Sequence, residues 1–331
     1  MLRLGNTEIN ALGNNINKAY LGTIEVFGSV FTSLWETTTA SETITLPTPT
    51  NYRVDWGDGT VTTNTNSHEY LTANQYTIKI SGEITDFKFN NGGDKTKILE
   101  ISKFGNFTLV NSGFYGCLNL DITANETPKT VTGGISINDA FRGCSLLIWN
   151  ISVNSIDTSV VSSIDRFFNG ATIFNESVNN WDVGNKVSLV QIFASSGYNQ
   201  PLNGWNVSSC LSLLNLFFRA RDFNQSLSSW NTSLVENMQG TFRDTDDFNQ
   251  DISTWSFVSV TRMNDFMFGK GAEYDTTYMD NLYIKLDQDL VFANMVNVNI
   301  SFGSINFTSA GATARASLVS KGFIITSGIQ V

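Results

Sequence analysis

The stretch FNQSLSSWNTSLVENMQGTF at residues 223–242 returns as FNQDISTWSFVSVTRMNDFMF at 248–268, with its aromatic, aliphatic and amide positions in register. Working back from this pair, an aromatic-Asn dipeptide recurs at Trp149-Asn150, Phe174-Asn175, Tyr198-Asn199, Phe223-Asn224 and Phe248-Asn249. A second position carries Ile156, Trp181, Trp205, Trp230 and Trp255, preceded each time by an aliphatic residue at Val153, Val178, Leu202, Leu227 and Ile252. Beyond it come Ile164, Leu189, Leu213, Met238 and Met263, and then Phe168, Phe193, Phe217, Phe242 and Met267. A period of about 25 residues is the sequence mark of a solenoid, because one such unit cannot bury its apolar side alone and must stack on its neighbours. These columns are predicted to form a stacked core, with function on an extended surface instead of in one deep pocket.

The Asn positions follow a different logic. A side-chain amide both donates and accepts, so each Asn is expected to bond the turn backbone of its own unit while meeting the amide of the next, closing groups that a tight turn would leave unpaired. Cys117 and Cys144 occupy matching places in FYGC and FRGC, and Cys210 stands apart. An odd count without CxxC spacing makes neither a disulfide framework nor a metal site. Free buried thiols are expected, with a Cys117–Cys144 bridge open if the Cα atoms come within about 7 Å.

Charged residues are only 15% of the 331 positions, and the net charge is -10. That balance excludes a nucleic-acid partner, which needs clustered Lys and Arg. Together with abundant Asn, Ser, Thr and Gly it fits a β-rich, turn-rich, extracellular type of surface. No run of about 18 apolar residues is present for membrane insertion, and the start MLRLGNTEIN has neither the basic nor the apolar part of a secretory signal.

Four regions are expected. Residues 1–29 carry a short echo, LGNTEI, LGNNIN and LGTIEV, with Leu-Gly at Leu4-Gly5, Leu12-Gly13 and Leu21-Gly22, which suggests small hairpins or edge strands. This piece is too short to bury a core of its own and is expected to dock elsewhere as an anchoring or assembly segment. Residues 30–83 read as a β-sandwich, with strands at Thr43–Leu46, Tyr52–Trp56 and Tyr76–Ile80 and a turn at Gly57-Asp58-Gly59. Asp55 and Asp58 are weak metal candidates for calcium, against the plainer reading that they cap the turn. Residues 84–271 hold the repeats. In the closing region, 272–331, Tyr278, Leu282, Ile284 and Leu286 form an apolar series, Ala310–Ser320 reads as a short helix ended by Gly322, and Phe323–Thr326 as a closing strand.

The string VDWGDGT at 54–60, with HEY at 68–70 and QYTIKISG at 75–82, resembles a polycystic-kidney-disease type (PKD-like) domain. That resemblance implies an immunoglobulin-like sandwich acting as a spacer or adhesion module, and gives His68 a framework role. The segment FNNGGDKTKILEISKFGN at 89–106, with FYGC, FRGC and the units at 223–242 and 248–268, resembles the BspA-like leucine-rich repeat surface proteins. The ARASL and GFIIT strings of the tail match the way that family closes its stack. The implied fold class is mainly β with short helices: a PKD/immunoglobulin-like β-sandwich, then a leucine-rich-repeat-type solenoid with a C-terminal cap.

The leading Leu-Gly hairpins resemble amino-terminal segments of tailed-phage structural proteins. The expectation is therefore a non-enzymatic virion protein, a head fibre, decoration or tail-associated component. It would be held to other virion proteins through residues 1–29, be homo-oligomeric, and display its repeats to a host surface protein or glycan. A bacterial cell-surface adhesin is the alternative. A surface polysaccharide depolymerase is a third reading, carried by Asp244, Asp246 and Asp247, which are more economically a solvated loop. His68 is the sole histidine, and no Ser-His or Cys-His constellation is visible. No cofactor is expected. Repeat phase points to Arg219, Arg221, Asp222, Arg243 and Asp244 as the exposed binding surface.

Overall fold

The computed structural model describes residues 29–48, 52–130, 133–149, 153–270, 273–290 and 299–331, together with short backbone strands before residue 29. The chain is mainly β with two short helices. The leading strands β1 (Leu2–Leu4), β2 (Thr7–Ala11), β3 (Ala19–Leu21) and β4 (Ile24–Glu25) pair in that order as an antiparallel meander. Gly5, Leu12-Gly13 and Gly22 of the Leu-Gly echo lie outside the described residues.

A six-stranded sheet follows, built from β5 (Val30–Glu36), β7 (Arg53–Asp55), β8 (Val61–Thr63), β10 (Gln75–Ser81), β11 (Ile98–Lys103) and β13 (Asp121–Ile122) in the order β13-β11-β5-β10-β7-β8. Alternation decides its faces. Phe31, Ser33 and Trp35 of β5 and Tyr76, Ile78 and Ile80 of β10 turn inward, and the Trp35 indole N–H is satisfied by Ser33 Oγ at 2.8 Å. The strands β6 (Glu42–Thr45) and β9 (Ser67–Tyr70) pair separately and send Ile44 and Tyr70 into the same core. The sheet draws strands from both sides of residue 83, since β11 docks on β5. Strands at β6, β7 and β10 stand where the alternation placed them to within a residue or two. By contrast, β5 and β11 are central strands that the sequence reading passed over.

From here the chain climbs in turns. Only short parallel pairs remain: β12 (Thr108–Leu109) with β14 (Lys129–Thr130), and single bridges linking Ser188, Ser212, Asn237 and Arg262 in one column. Each inward column of the sequence is buried. The rings of Trp205, Trp230 and Trp255 stack at 6.3 and 5.9 Å, and those of Phe174, Tyr198, Phe223, Phe248 and Tyr274 at 6.1 to 6.4 Å. Each Trp also ties the second aromatic column to the aliphatic one. The indole N–H groups of Trp181, Trp205, Trp230 and Trp255 donate to the carbonyls of Val153, Val178, Leu202 and Leu227 one unit back, at 2.7 to 3.1 Å. This pairing removes the penalty of an unmet donor in the core.

The Asn column works between units and not within them, which corrects the expectation. The Oδ1 atoms of Asn175, Asn199, Asn224 and Asn249 accept the backbone N–H of Asn199, Asn224, Asn249 and Asp275, at 2.7 to 2.9 Å. Gln225 and Gln250 add their amides to Asn199 and Asn224. Asn150 lies outside the described residues.

The chain closes with α1 (Thr276–Asp289), β15 (Asn299–Ser301), α2 (Ser309–Ser320) and β16 (Ile324–Thr326). The apolar series at 278–286 is a helix capped by Asp275; Leu282 and Leu286 are buried, whereas Ile284 faces solvent. The helix α2 starts at its Thr308 cap, and the chain leaves it through Gly322 at φ +90° into β16, which pairs in parallel with β15.

Candidate binding surface

One edge of the stack is formed by the turn that follows the inner Phe column. Forward backbone bonds fix its register: Gly116, Gly143, Gly170, Ser195, Arg219 and Asp244 donate to the carbonyls of Arg142, Asn169, Ala194, Phe218, Arg243 and Phe268, at 2.7 to 2.9 Å. Tyr115, Arg142, Asn169, Ala194, Phe218, Arg243 and Phe268 therefore stand above one another in a single column at the rim, half-buried or exposed except at Ala194, which is buried. Within it the Arg243 guanidinium lies between two rings, 5.6 Å from the Phe218 centroid and 5.1 Å from that of Phe268. Arg219 lies 4.9 Å from the Phe218 centroid, and Arg142 covers Tyr115 at 4.8 Å. Guanidinium groups at these distances are held by the ring quadrupole.

The donors of these bonds, followed at the same phase by Gly269, form a second column, and it is left-handed throughout. Gly116, Gly143, Gly170 and Gly269 have φ between +71° and +85°, where glycine costs nothing. Ser195, Arg219 and Asp244 take the same conformation at +55°, +58° and +54°. A side chain held where the backbone favours glycine costs about 1 kcal/mol. Arg219 and Asp244 are the two charged members of this column.

Ion pairs join the units. Arg219 meets Asp244 at 3.5 Å, Arg243 meets Asp265 at 3.0 Å, and Arg221 pairs with Asp246. Lower down, Arg166 grips Asp139 with two bonds of 2.8 Å. The structure thus brings Arg219, Arg243 and Asp244 into one cluster. Arg221 is joined to Asp246 beside it, and Asp222 is exposed on the same turn. The repeat phase missed Phe218 and Phe268, although both follow directly on inner-column residues, Phe217 and Met267.

The other singled-out residues fall elsewhere. Asp55 Oδ1 accepts the Gly57 N–H at 3.1 Å and Asp58 Oδ1 that of Thr60 at 2.8 Å, so both cap the turn. Asp58 Oδ2 is 2.7 Å from His68 Nε2, and the imidazole lies on the Trp56 ring. Burial works to raise the Asp58 pKa, but the bonds from His68 and Thr60 outweigh it and the group is lowered. Among the described residues no three His, Cys, Asp or Glu side chains gather as a metal site. Asp244 and Asp246 are held by the arginines above, and the Asp247 N–H donates to the Arg221 carbonyl.

Cys117, Cys144 and Cys210 are free and buried, and Cys144 Sγ donates to the Phe114 carbonyl at 3.1 Å. Burial pushes all three thiols up, Cys210 to about 12. Two lysines are also enclosed. Lys186 stands in a column that is otherwise Val161, Cys210, Val235 and Val260, with Nζ on the Thr158 and Val161 carbonyls at 2.8 and 2.6 Å. Lys270 reaches the Asp246 carbonyl, and burial lowers the pKa of both amines.

The stack coincides with a family match. The model of the family described as "Mycoplasma protein of unknown function, DUF285" matches residues 135–227 and, overlapping them, 195–302. Together these cover just over half of the chain, which belongs to that family. The edge from Arg142 to Phe268 lies wholly inside the matched residues. No curated protein and no solved structure matches the chain.

Proposed function

We propose that the chain is a non-enzymatic attachment protein. In this reading a PKD-like β-sandwich serves as a spacer, a leucine-rich-repeat-type solenoid of the BspA-like kind rises from it, and the outer column from Phe218 to Phe268 meets a host surface protein or glycan. The observation that carries the reading is the pair Arg219 and Asp244, charged side chains in a left-handed column that is otherwise glycine or serine, beside an arginine held between the half-buried ring of Phe218 and the exposed ring of Phe268. Clustered Arg and aromatic groups on a rigid support are what binding hot spots are made of. The support here is rigid because every unit is bonded to the next. Purified protein should bind host cells, and Arg243→Ala with Phe268→Ala should remove the binding without unfolding the chain. Binding that survives the double variant would sink this surface as the contact.

The carrier is a phage particle in the first reading, with residues 1–29 gripping other virion proteins and several copies assembling together. A bacterial cell-surface adhesin is the second, and the family's description, which names a cellular bacterium, favours it. Mass spectrometry of purified particles and of cell envelopes separates them. Stoichiometric copies in particles support the virion component, and enrichment in envelopes alone supports the adhesin.

A further inference from the structure

A cleft of about 670 Å³ opens on the outer face of the six-stranded sheet, far in sequence from the arginine edge, and is lined by Ser29, Val30, Thr32, Lys79, Lys103, Gly105, Glu126, Thr127 and Lys129. Register places its charges. Lys79 on β10 and Lys103 on β11 are both paired with Thr32 on β5, so two ammonium groups flank one hydroxyl in a single row across three adjacent strands. Successive strands are about 4.8 Å apart, which sets the two lysine backbones about 10 Å from each other. Lys129 enters from β14, its Nζ on Asn106 Oδ1 at 3.0 Å. Asp55 continues the row beyond Lys79, but its Oδ1 is taken by the Gly57 N–H.

The wall between the lysines is fixed. Glu126 Oε1 accepts the N–H groups of Phe104 and Gly105 at 3.0 and 3.1 Å, which holds this one carboxylate against the backbone and leaves three lysines in the lining against its single charge. Gly105 is left-handed at φ +56° and lies so close to β5 that a Cβ there would be 2.7 Å from the Val30 carbonyl carbon. Lysines converge on this one concavity in a chain whose net charge is -10. Such a concentration of one sign against the overall field is a site for the opposite charge.

We propose that this cleft binds an acidic saccharide, a sugar of one or two rings bearing a sulfate or carboxylate. The volume is of ligand size. The lining offers ammonium groups for the acid and the hydroxyls of Ser29, Thr32 and Thr127 for a polyol. It contains no aromatic ring, so a nucleobase has nothing to stack on, and a neutral sugar would lack both stacking and charge.

Calorimetric titration of the full chain tests this, with glucuronic acid and galactose 6-sulfate set against galactose, and inorganic sulfate as the bare anion. The acidic sugars are expected to bind, more weakly as salt is raised, and galactose not to bind. Lys79→Gln, Lys103→Gln and Lys129→Gln should each cost about threefold to tenfold in affinity, the size of a partly exposed charge contact. Lys103→Arg should keep most of the affinity, and Arg243→Ala should leave it unchanged, which separates this site from the attachment edge. Galactose binding as well as its sulfate, undiminished binding by the Lys79→Gln/Lys103→Gln pair, inorganic sulfate binding as tightly as the sulfated sugar, or no binding of either acid would each overturn the proposal.

Discussion

The leading sheet and the stack above it solve one problem, pairing the backbone around an aromatic core, in two ways. The sheet joins segments that are distant in the chain, as where β5 pairs with β11 more than 60 residues on. The stack joins each residue to its counterpart about 25 residues away, over and over. In the sheet, regular strands carry the hydrogen bonds and any side chain may stand outward. In the stack, two left-handed residues per turn carry the bend, as at Arg166 and Gly170, Gln191 and Ser195, or Asn215 and Arg219. The lesson is that a periodic core leaves its outer column free to vary, because nothing inside depends on it. Tyr, Arg, Asn, Ala and Phe all occur there, while the inner columns stay apolar, apart from the enclosed Lys186.

Removing the ring at the centre of the stack should break this contrast most severely. Trp230→Ala loses contacts with Trp205 and Trp255 and the bond to Leu202, and should cost about 3–5 kcal/mol in denaturant unfolding. Hydrogen exchange on that variant should show protection lost near residue 230 and recovering with distance, while the amides of β5 and β10 stay protected. Uniform loss across both regions would show that they unfold as one. Next in size, Asn224→Ala strands the N–H of Asn249 and leaves the Gln250 amide only its longer bond to the carbonyl of residue 224, and should cost about 1–3 kcal/mol. Asn224→Asp, which keeps the acceptor, should recover most of it.

Alkaline pH should weaken the stack next. The Cys210 thiol rises from its ordinary 9.0 to about 12 on folding, because burial disfavours the thiolate. Its folded pKa lies above the unfolded one, so its contribution is intact below about pH 9 and lost as pH climbs toward 12, at about 1 kcal/mol per unit. Melting curves of Cys210→Ala should fall less steeply over that range than those of the parent; parallel curves would remove the thiol as the cause. The smallest change sharpens the contrast: Arg219→Gly relieves a left-handed side chain and gives up one exposed ion pair and the contact with the Phe218 ring. It should leave stability level or raise it by up to about 1 kcal/mol while weakening attachment to host cells. A clear loss of stability would make the arginine structural.

Much of the stack could be read from the chain, because each inner column is a local pattern repeated at one spacing. What escaped the sequence reading depends on contacts between units. The indole bonds to Val153, Val178, Leu202 and Leu227, and the reach of each Asn to the next unit's backbone, have no signature in a single repeat. The central strands β5 and β11 escaped because VFTSLWE and ILEISK were absorbed into the flanking regions. The lysine cleft is assembled from four separate stretches of chain, so no motif could announce it. Repeat phase named Arg219, Arg221, Asp222, Arg243 and Asp244 one by one; that Arg219, Arg243 and Asp244 meet in one cluster, and that Phe218 and Phe268 flank them, came from contacts between units.

Along the arginine edge every unit donates its N–H groups forward, and at the Asn corner it donates backward, so its upper and lower faces are complementary. A unit copied within the gene would find both faces already matched, and one deleted would leave its neighbours able to close. Such a chain can therefore change its reach in evolution by about one strand spacing per duplication, roughly 4.8 Å, without any alteration to the sheet at its base or the helices at its top. Length becomes a heritable variable separate from both of the structures that bound the stack.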